Sequence, residues 1–434
     1  MYGRTCARYL ALFVVVILTC GSGYDSGAAL DAYIAPYVTS HDFSGTLLVA
    51  RGSDVLYQKN VGFADIQAHE AVGMHTRFLV GSIAKTFTAA GIESLARDGK
   101  LSYDDPLSRW VPEYRYAGQI TLRQLLDHAA GVPDYYSIAR FALDRQKRLT
   151  LPEIARWLNA FPLDFKPGSH NKYSNSGYSL LALVIERASG SPYAVFLQRR
   201  IFDPLGMHDS GAFIAGSTGD LATGYEAAPP PAYLEVSHSI DPGWFVGNGY
   251  VYTTATDLSR WLDAANAGTV VNFKSLPYAY GWGVHKEGAY TLLEQSGRIP
   301  GFTSYISIDP ANGLKVIALS NIQDDAAGKI SNDVRALALG AAVCHRGESA
   351  NVRAKSGCYA RLRRNLFARP SAAARRLNQR RQYVHHKSRR RHTTLSRRNE
   401  PRRVFLSDSV CAGELHARRA GTRCRNALEQ SVHA

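Results

Sequence analysis

In the stretch "VGSIAKTFTA", residues 80–89, Ser82 precedes Lys85 by three positions. A helix turns once per about 3.6 residues, so these side chains would project from one face and could share a proton. A serine behind Gly81 at a helix start sits where unpaired N–H groups and the helix dipole favour negative charge. Such a serine can attack a carbonyl, and its own N–H can then help hold the oxyanion. Lys85 can take the proton if burial lowers its pKa. A solvated helix start would show the same spacing. In "YSNSGY", Tyr173 and Asn175 lie two apart; in an extended loop they face the same way, a phenol to relay a proton and an amide to orient a carbonyl. A turn rich in Ser, Asn and Gly is the alternative. In "QSGRIPGF", Gln295–Phe302, the small Ser296 and Gly297 would let a substrate backbone lie close, with an N–H completing an oxyanion hole. The alternative is an edge strand entering a proline turn. His128 in "LLDHAAG" reads as a capping or packing residue. The chain has no "HExxH", "GxxxxGK" or "GxSxG" to support metalloprotease, nucleotide-hydrolase or α/β-hydrolase chemistry.

The elements that must carry these residues are punctuated by turn signals. "SGTLLVARGSDVLYQKNVGFAD" predicts a hairpin around Arg51–Asp54. A helix is expected from Lys85 to about Gly99, others in "TLRQLLDHAAG" to Gly131, in "GYSLLALVIERASG" to Gly190 and in "TTATDLSRWLDAANAG". "EAAPPPAY" must be loop, because consecutive prolines continue neither helix nor ladder. "FTSYISIDPANGLKVIALSN" predicts two strands around "DPANG", and "AAGKISNDVRALALGAA" a final helix. Strands at both ends with helices between predict an α/β (α+β) class, one mixed sheet with a helical insert. No internal repeat is visible.

The net charge of +15 over 434 residues suggests a polyanion binder until it is located. Residues 346–434 hold 23 Lys+Arg against 5 Asp+Glu, leaving 28 basic and 31 acidic residues for the rest. The body is nearly neutral, so no nucleic acid is expected to bind it. The division 1–20, 21–343 and 344–434 follows. In 1–20, Arg4 and Arg8 precede "YLALFVVVILT", an export signal too short to span a bilayer comfortably. "ILTC" then "GSG" resembles a lipoprotein cleavage box with Cys20 as the anchored residue; a plain signal peptide or an uncleaved anchor fits equally. The body has no cysteine between Cys20 and Cys344, so it is expected to have neither a disulfide framework nor a thiolate metal site. The tail, with "HHKSRRRH" and "LSRRNEPRR", lacks apolar periodicity and is expected to be disordered. It reads as an arm for nucleic acid or anionic lipid, as a tail without a role, or as out-of-frame translation of a GC-rich gene.

The ordered set "SIAK", "YSN" and "QSG" resembles the serine β-lactamase and penicillin-binding superfamily, in the branch of class C β-lactamases, D-alanyl-D-alanine carboxypeptidases and related esterases. "GKLSYDDPLSRWVPEY", "ITLRQLLDHAAGVPDY", "FKPGSHNKYSNSGYSLLALVIERASG", "IFDPLGMHDS", "TTATDLSRW" and "YGWGV" extend it, in order, from about residue 27 to about 342. The resemblance implies an antiparallel sheet of five or more strands flanked by helices, with an all-helical region over the cleft. It implies an acyl-enzyme on Ser82, with Lys85 and Tyr173 moving protons and Asn175 positioning the substrate. The N–H groups of Ser82 and Arg298 would hold the oxyanion, and neither metal nor cofactor is needed. It implies an exported serine hydrolase acting on D-alanyl peptides of peptidoglycan or on β-lactams. Relatives usually carry lysine or histidine at Gln295, where the lysine helps hold a substrate carboxylate. A neutral Gln295 keeps open a small-ester hydrolase, with Arg298 as a substitute charge, and a non-catalytic binder of penicillins or cell-wall fragments.

Overall fold

The strand Gly45–Arg51 (β1) is buried along almost its whole length, and its residues alternate between two cores. Leu48 and Ala50 join the larger cluster, Leu47 and Val49 the smaller. A strand covered on both faces must be apolar at consecutive positions, which is how "TLLVA" reads. In the computed structural model the described residues are 26–212, 220–226, 234–235, 240–269, 280–287 and 290–338; all belong to one unit, Met1–Leu377. The expected export signal, Cys20, the arginine-rich tail and most of "EAAPPPAY" lie outside them.

β1 pairs with Asp54–Val61 (β2) across the expected hairpin. The sheet is completed by Gly283–Glu287 (β3), Tyr290–Ile299 (β4), Phe302–Asp309 (β5) and Leu314–Ser320 (β6), in the order β3-β4-β5-β6-β1-β2. Every pairing in it is antiparallel. The antiparallel sheet that the resemblance implies is what the structure shows, and the mixed sheet read from element order is corrected: β3 to β6 follow one another by hairpins, and β6 lies antiparallel beside β1. β4 is an interior strand, not an edge.

Two terminal helices, Ser26–Thr39 (α1) and Ala326–Ala338 (α7), cover one face, with Leu30, Ile34, Ile330 and Val334 against Leu47, Val316 and Ala318. The other face carries the helical region: Ala84–Arg97 (α2), Leu122–Leu126 (α3), Leu151–Leu158 (α4), Asn175–Ser189 (α5) and Ala255–Asn266 (α6). α2 is buried at every position from Ala84 to Ile92, as a helix enclosed on all sides must be. α5 starts on a Ser174 cap, whose hydroxyl accepts from Gly177 N–H, and stops at left-handed Gly190. The helix expected to reach Gly131 stops at Leu126. A Thr121–Gln124 capping box opens it, and His128 leaves it at φ 55°.

Candidate active site

Ser82 lies not inside α2 but in the 3₁₀ turn Gly81–Ile83 that leads into it. Lys85 occupies the first turn of α2 and is fully buried. Lys85 Nζ lies 3.1 Å from Ser82 Oγ, so the three-residue spacing does bring the pair together. The same Nζ donates to Asn175 Oδ1 and to the Asn248 carbonyl, each at 2.8 Å. Ser82 Oγ and the Tyr173 hydroxyl are 2.6 Å apart. Tyr173 and Asn175 do converge, but not from one extended loop: Tyr173 precedes the Ser174 cap, and Asn175 is already the first residue of α5. The tyrosine ring also lies 4.8 Å from Lys85 Nζ, over its face.

Burial disfavours the ammonium of Lys85 and lowers its pKa to about 7, and the Asp134 carboxylate opposes that shift. A lysine half neutral near pH 7 can accept the hydroxyl proton of Ser82. His128 packs between Tyr173 and Tyr178, with ring centroids 4.6 and 5.0 Å away, and its Nδ1 accepts from Ser174 N–H at 3.2 Å. Desolvation first, then Lys85, hold its pKa down at about 3. It braces the Tyr173 segment as a neutral ring.

The third motif forms the facing wall. A methyl group on Gly297 would sit 1.9 Å from the Val80 carbonyl and 2.9 Å from Ser82 N; one on Gly81, at φ 51°, would sit 2.6 Å from Arg298 N. Only a pair of glycines lets the Ser82 and Arg298 peptides stand this close, and that approach suits a two-N–H oxyanion cradle. Ser304 Oγ donates to the Val80 carbonyl at 2.8 Å and fastens β5 to the same turn.

The side chains of this wall turn to other tasks. Gln295 Nε2 donates to the Gly281 carbonyl, and its Oε1 accepts from Ser296 N–H at 2.9 Å. The Arg298 guanidinium pairs with Asp325 at 2.6 Å. Arg298 lines the cleft beside Ser82 with this exposed carboxylate at its guanidinium. The cleft beside Ser82 has a volume of ≈ 270 Å³. Tyr136, Ile240, Phe245, Ile299 and Pro300 give it apolar walls, and Ser82, Asn175, Asn248, Arg298 and Gln323 add polar groups.

Two contributors escaped the sequence reading. Asp134 accepts from Asn175 Nδ2 through both oxygens, each at 3.2 Å. Asn248 supplies its carbonyl to Lys85 while its side chain is held by Tyr135, Ser179 and Trp244. Asp134 carried a faint signal, a carboxylate between proline and two tyrosines in "GVPDYYS"; a backbone carbonyl carries none. Among the described residues no group of three or more His, Cys, Asp or Glu could hold a metal ion.

Comparisons place this arrangement among known proteins. "Penicillin-binding protein 4*" of Bacillus subtilis (strain 168) is 29% identical over 314 residues, covering 66% of this chain and 69% of that protein. The crystal structure of a penicillin binding protein from Bacillus halodurans superposes with a TM-score of 0.63 at 26% identity, over 71% of this chain and 98% of that one. A structure described as a class C beta-lactamase matches with a TM-score of 0.58 at 21% identity, over 73% and 99%, which speaks to the fold alone. The family model described as "Beta-lactamase" matches residues 30–340, spanning Ser82, Lys85, Tyr173 and the Gln295–Arg298 strand. A six-stranded antiparallel sheet under a helical region, the serine–lysine–tyrosine cluster in the cleft and this match agree: the chain belongs to the beta-lactamase family.

Proposed function

We propose that the protein is an exported serine hydrolase working through an acyl-enzyme on Ser82, with D-alanyl peptides or β-lactams as its first substrates. The coordination of Lys85 carries this reading. Its burial favours a neutral amine, and its two acceptor partners hold that amine facing the Ser82 hydroxyl. Ser82 Oγ attacks the substrate carbonyl carbon as its proton passes to Lys85 Nζ. The Ser82 and Arg298 N–H groups face the developing oxyanion. The bond to the leaving group then breaks, and Tyr173, in contact with both Ser82 and Lys85, relays the proton to the departing nitrogen or oxygen. Water attacks the ester, releases the acid and restores Ser82.

Small neutral esters are the second reading, supported by the strand wall. Gln295 is committed to backbone groups, Arg298 has an exposed Asp325 as ion-pair partner, and most of the cleft walls are apolar. The deciding experiment offers the purified chain a D-alanyl-D-alanine peptide, a chromogenic cephalosporin and p-nitrophenyl acetate, beside Ser82→Ala. Turnover of either of the first two that Ser82→Ala abolishes supports the leading reading, and turnover of the ester alone supports the second. A folded chain inert to all three would contradict both and leave a non-catalytic binder.

A further inference from the structure

Asn175 stands between two groups of opposite hydrogen-bonding character. Its Oδ1 accepts from Lys85 Nζ at 2.8 Å, and its Nδ2 donates to both oxygens of Asp134 at 3.2 Å. A carboxylate only accepts, so Asp134 admits only the Nδ2 side of the amide, and Oδ1 must then face Lys85. The Asn248 carbonyl is a second acceptor at 2.8 Å. A neutral amine has two N–H bonds and one lone pair. With both N–H groups taken by Asn175 Oδ1 and Asn248 O, the lone pair is left for the Ser82 hydroxyl, 3.1 Å away.

We propose that Asp134 is a positioning residue which, through the Asn175 amide, keeps the Lys85 lone pair aimed at Ser82. With the amide reversed, Nδ2 would point at Lys85 and compete for that lone pair, and the Ser82 proton would lose its acceptor. Asp134 is itself held in place. Its carboxylate caps the 3₁₀ turn Tyr135–Ser137, Tyr135 N–H donates to Ser176 Oγ on α5, and the Tyr135 hydroxyl donates to Asn248 Oδ1. One short segment thus secures both acceptors of Lys85. The ionisable groups facing Lys85 are Asp134 and His128 from this loop region, and Tyr173 and Tyr178 from the start of α5. Of these, only Asp134 is a carboxylate.

The inference rests on the acyl-enzyme reading, and the test separates the two. Burst acylation by p-nitrophenyl acetate is followed against pH in the unmodified chain, Ser82→Ala, Asp134→Asn, Asn175→Ala and the Asp134→Asn/Asn175→Ala double variant. Asp134→Asn is expected to slow acylation by about 10- to 100-fold while KM stays unchanged, within the range a misplaced general base costs. The acid limb of its profile should move to lower pH, because a charge that favours the ammonium is gone. The double variant should be no slower than Asn175→Ala alone, since the effect runs through that amide. An unchanged rate, a slower rate with an unmoved limb, or additive losses would overturn the proposal. Asp134→Ala removes both acceptor oxygens and replaces Asp134→Asn if thermal melting shows that variant unfolded. An unmodified chain with no Ser82-dependent hydrolysis of the ester would overturn the acyl-enzyme reading itself.

Discussion

On the helical wall of the cleft, Ser82, Lys85, Tyr173, Asn175 and Asp134 bond to one another through their side chains, and Lys85 at the centre is fully buried. On the strand wall, Gln295–Arg298, the Gly297 and Arg298 backbone packs close against the Gly81–Ser82 turn, and the side chains bond to Gly281, to the wall's own backbone and to Asp325. The helical wall is built to move a proton in a dry setting, where each missing partner costs heavily. The strand wall supplies shape and N–H groups, and its exposed charges are tunable. Chemistry and substrate choice are therefore expected to separate by wall.

The largest effect should come from the helical wall. Ser82→Ala is expected to reduce ester turnover by about 10³-fold or more with unchanged melting, checked by steady-state kinetics and calorimetry. A backbone change on the strand wall should come next. Gly297→Ala forces a methyl group against the Val80 carbonyl and Ser82 N, and kcat should fall by about 10²-fold, the cost of one lost oxyanion donor. A similar loss from Ser296→Ala, whose side chain is exposed, would break the claim that this wall works through its backbone.

The pH profile sharpens the contrast further. Lys85, held at about 7 by burial, is the base only when neutral, so acylation should fall about tenfold per pH unit below that value and level off above it. The sign follows from a depressed lysine pKa: the active form is the deprotonated one and is lost as pH falls. The smallest effect is expected at the rim. Asp325→Asn unpairs Arg298 and should raise kcat/KM for an anionic over a matched neutral ester by up to about 5-fold, since an exposed ion pair is worth about 0–1 kcal/mol. Arg298→Ala should shift the same ratio the other way.

What could be read from the sequence follows the range of the interactions. Ser82 and Lys85 are close because they are three apart, and β1–β2 and β5–β6 are hairpins because turn residues sit between apolar runs. Those are local consequences of composition and period. The sheet's antiparallel order and the 3₁₀ turn before α2 depend on packing, and local pattern misplaced both. Two further members of the Lys85 network come from positions 134 and 248, far along the chain, and one of them is a carbonyl. No spacing rule reaches them. The commitment of Gln295 and Arg298 to other partners was invisible for the same reason: their residue types permit recognition, and only the fold shows the charge already answered.

The acyl-enzyme is tested most directly by weighing it. The chain is mixed with p-nitrophenyl acetate or a penicillin, quenched in acid, and its intact mass recorded beside Ser82→Ala and Lys85→Ala. The account expects one added acyl group, mapped to the peptide containing Ser82, absent in Ser82→Ala and strongly slowed in Lys85→Ala. An adduct that persists in Ser82→Ala, or turnover of either probe that persists in Ser82→Ala, would contradict it.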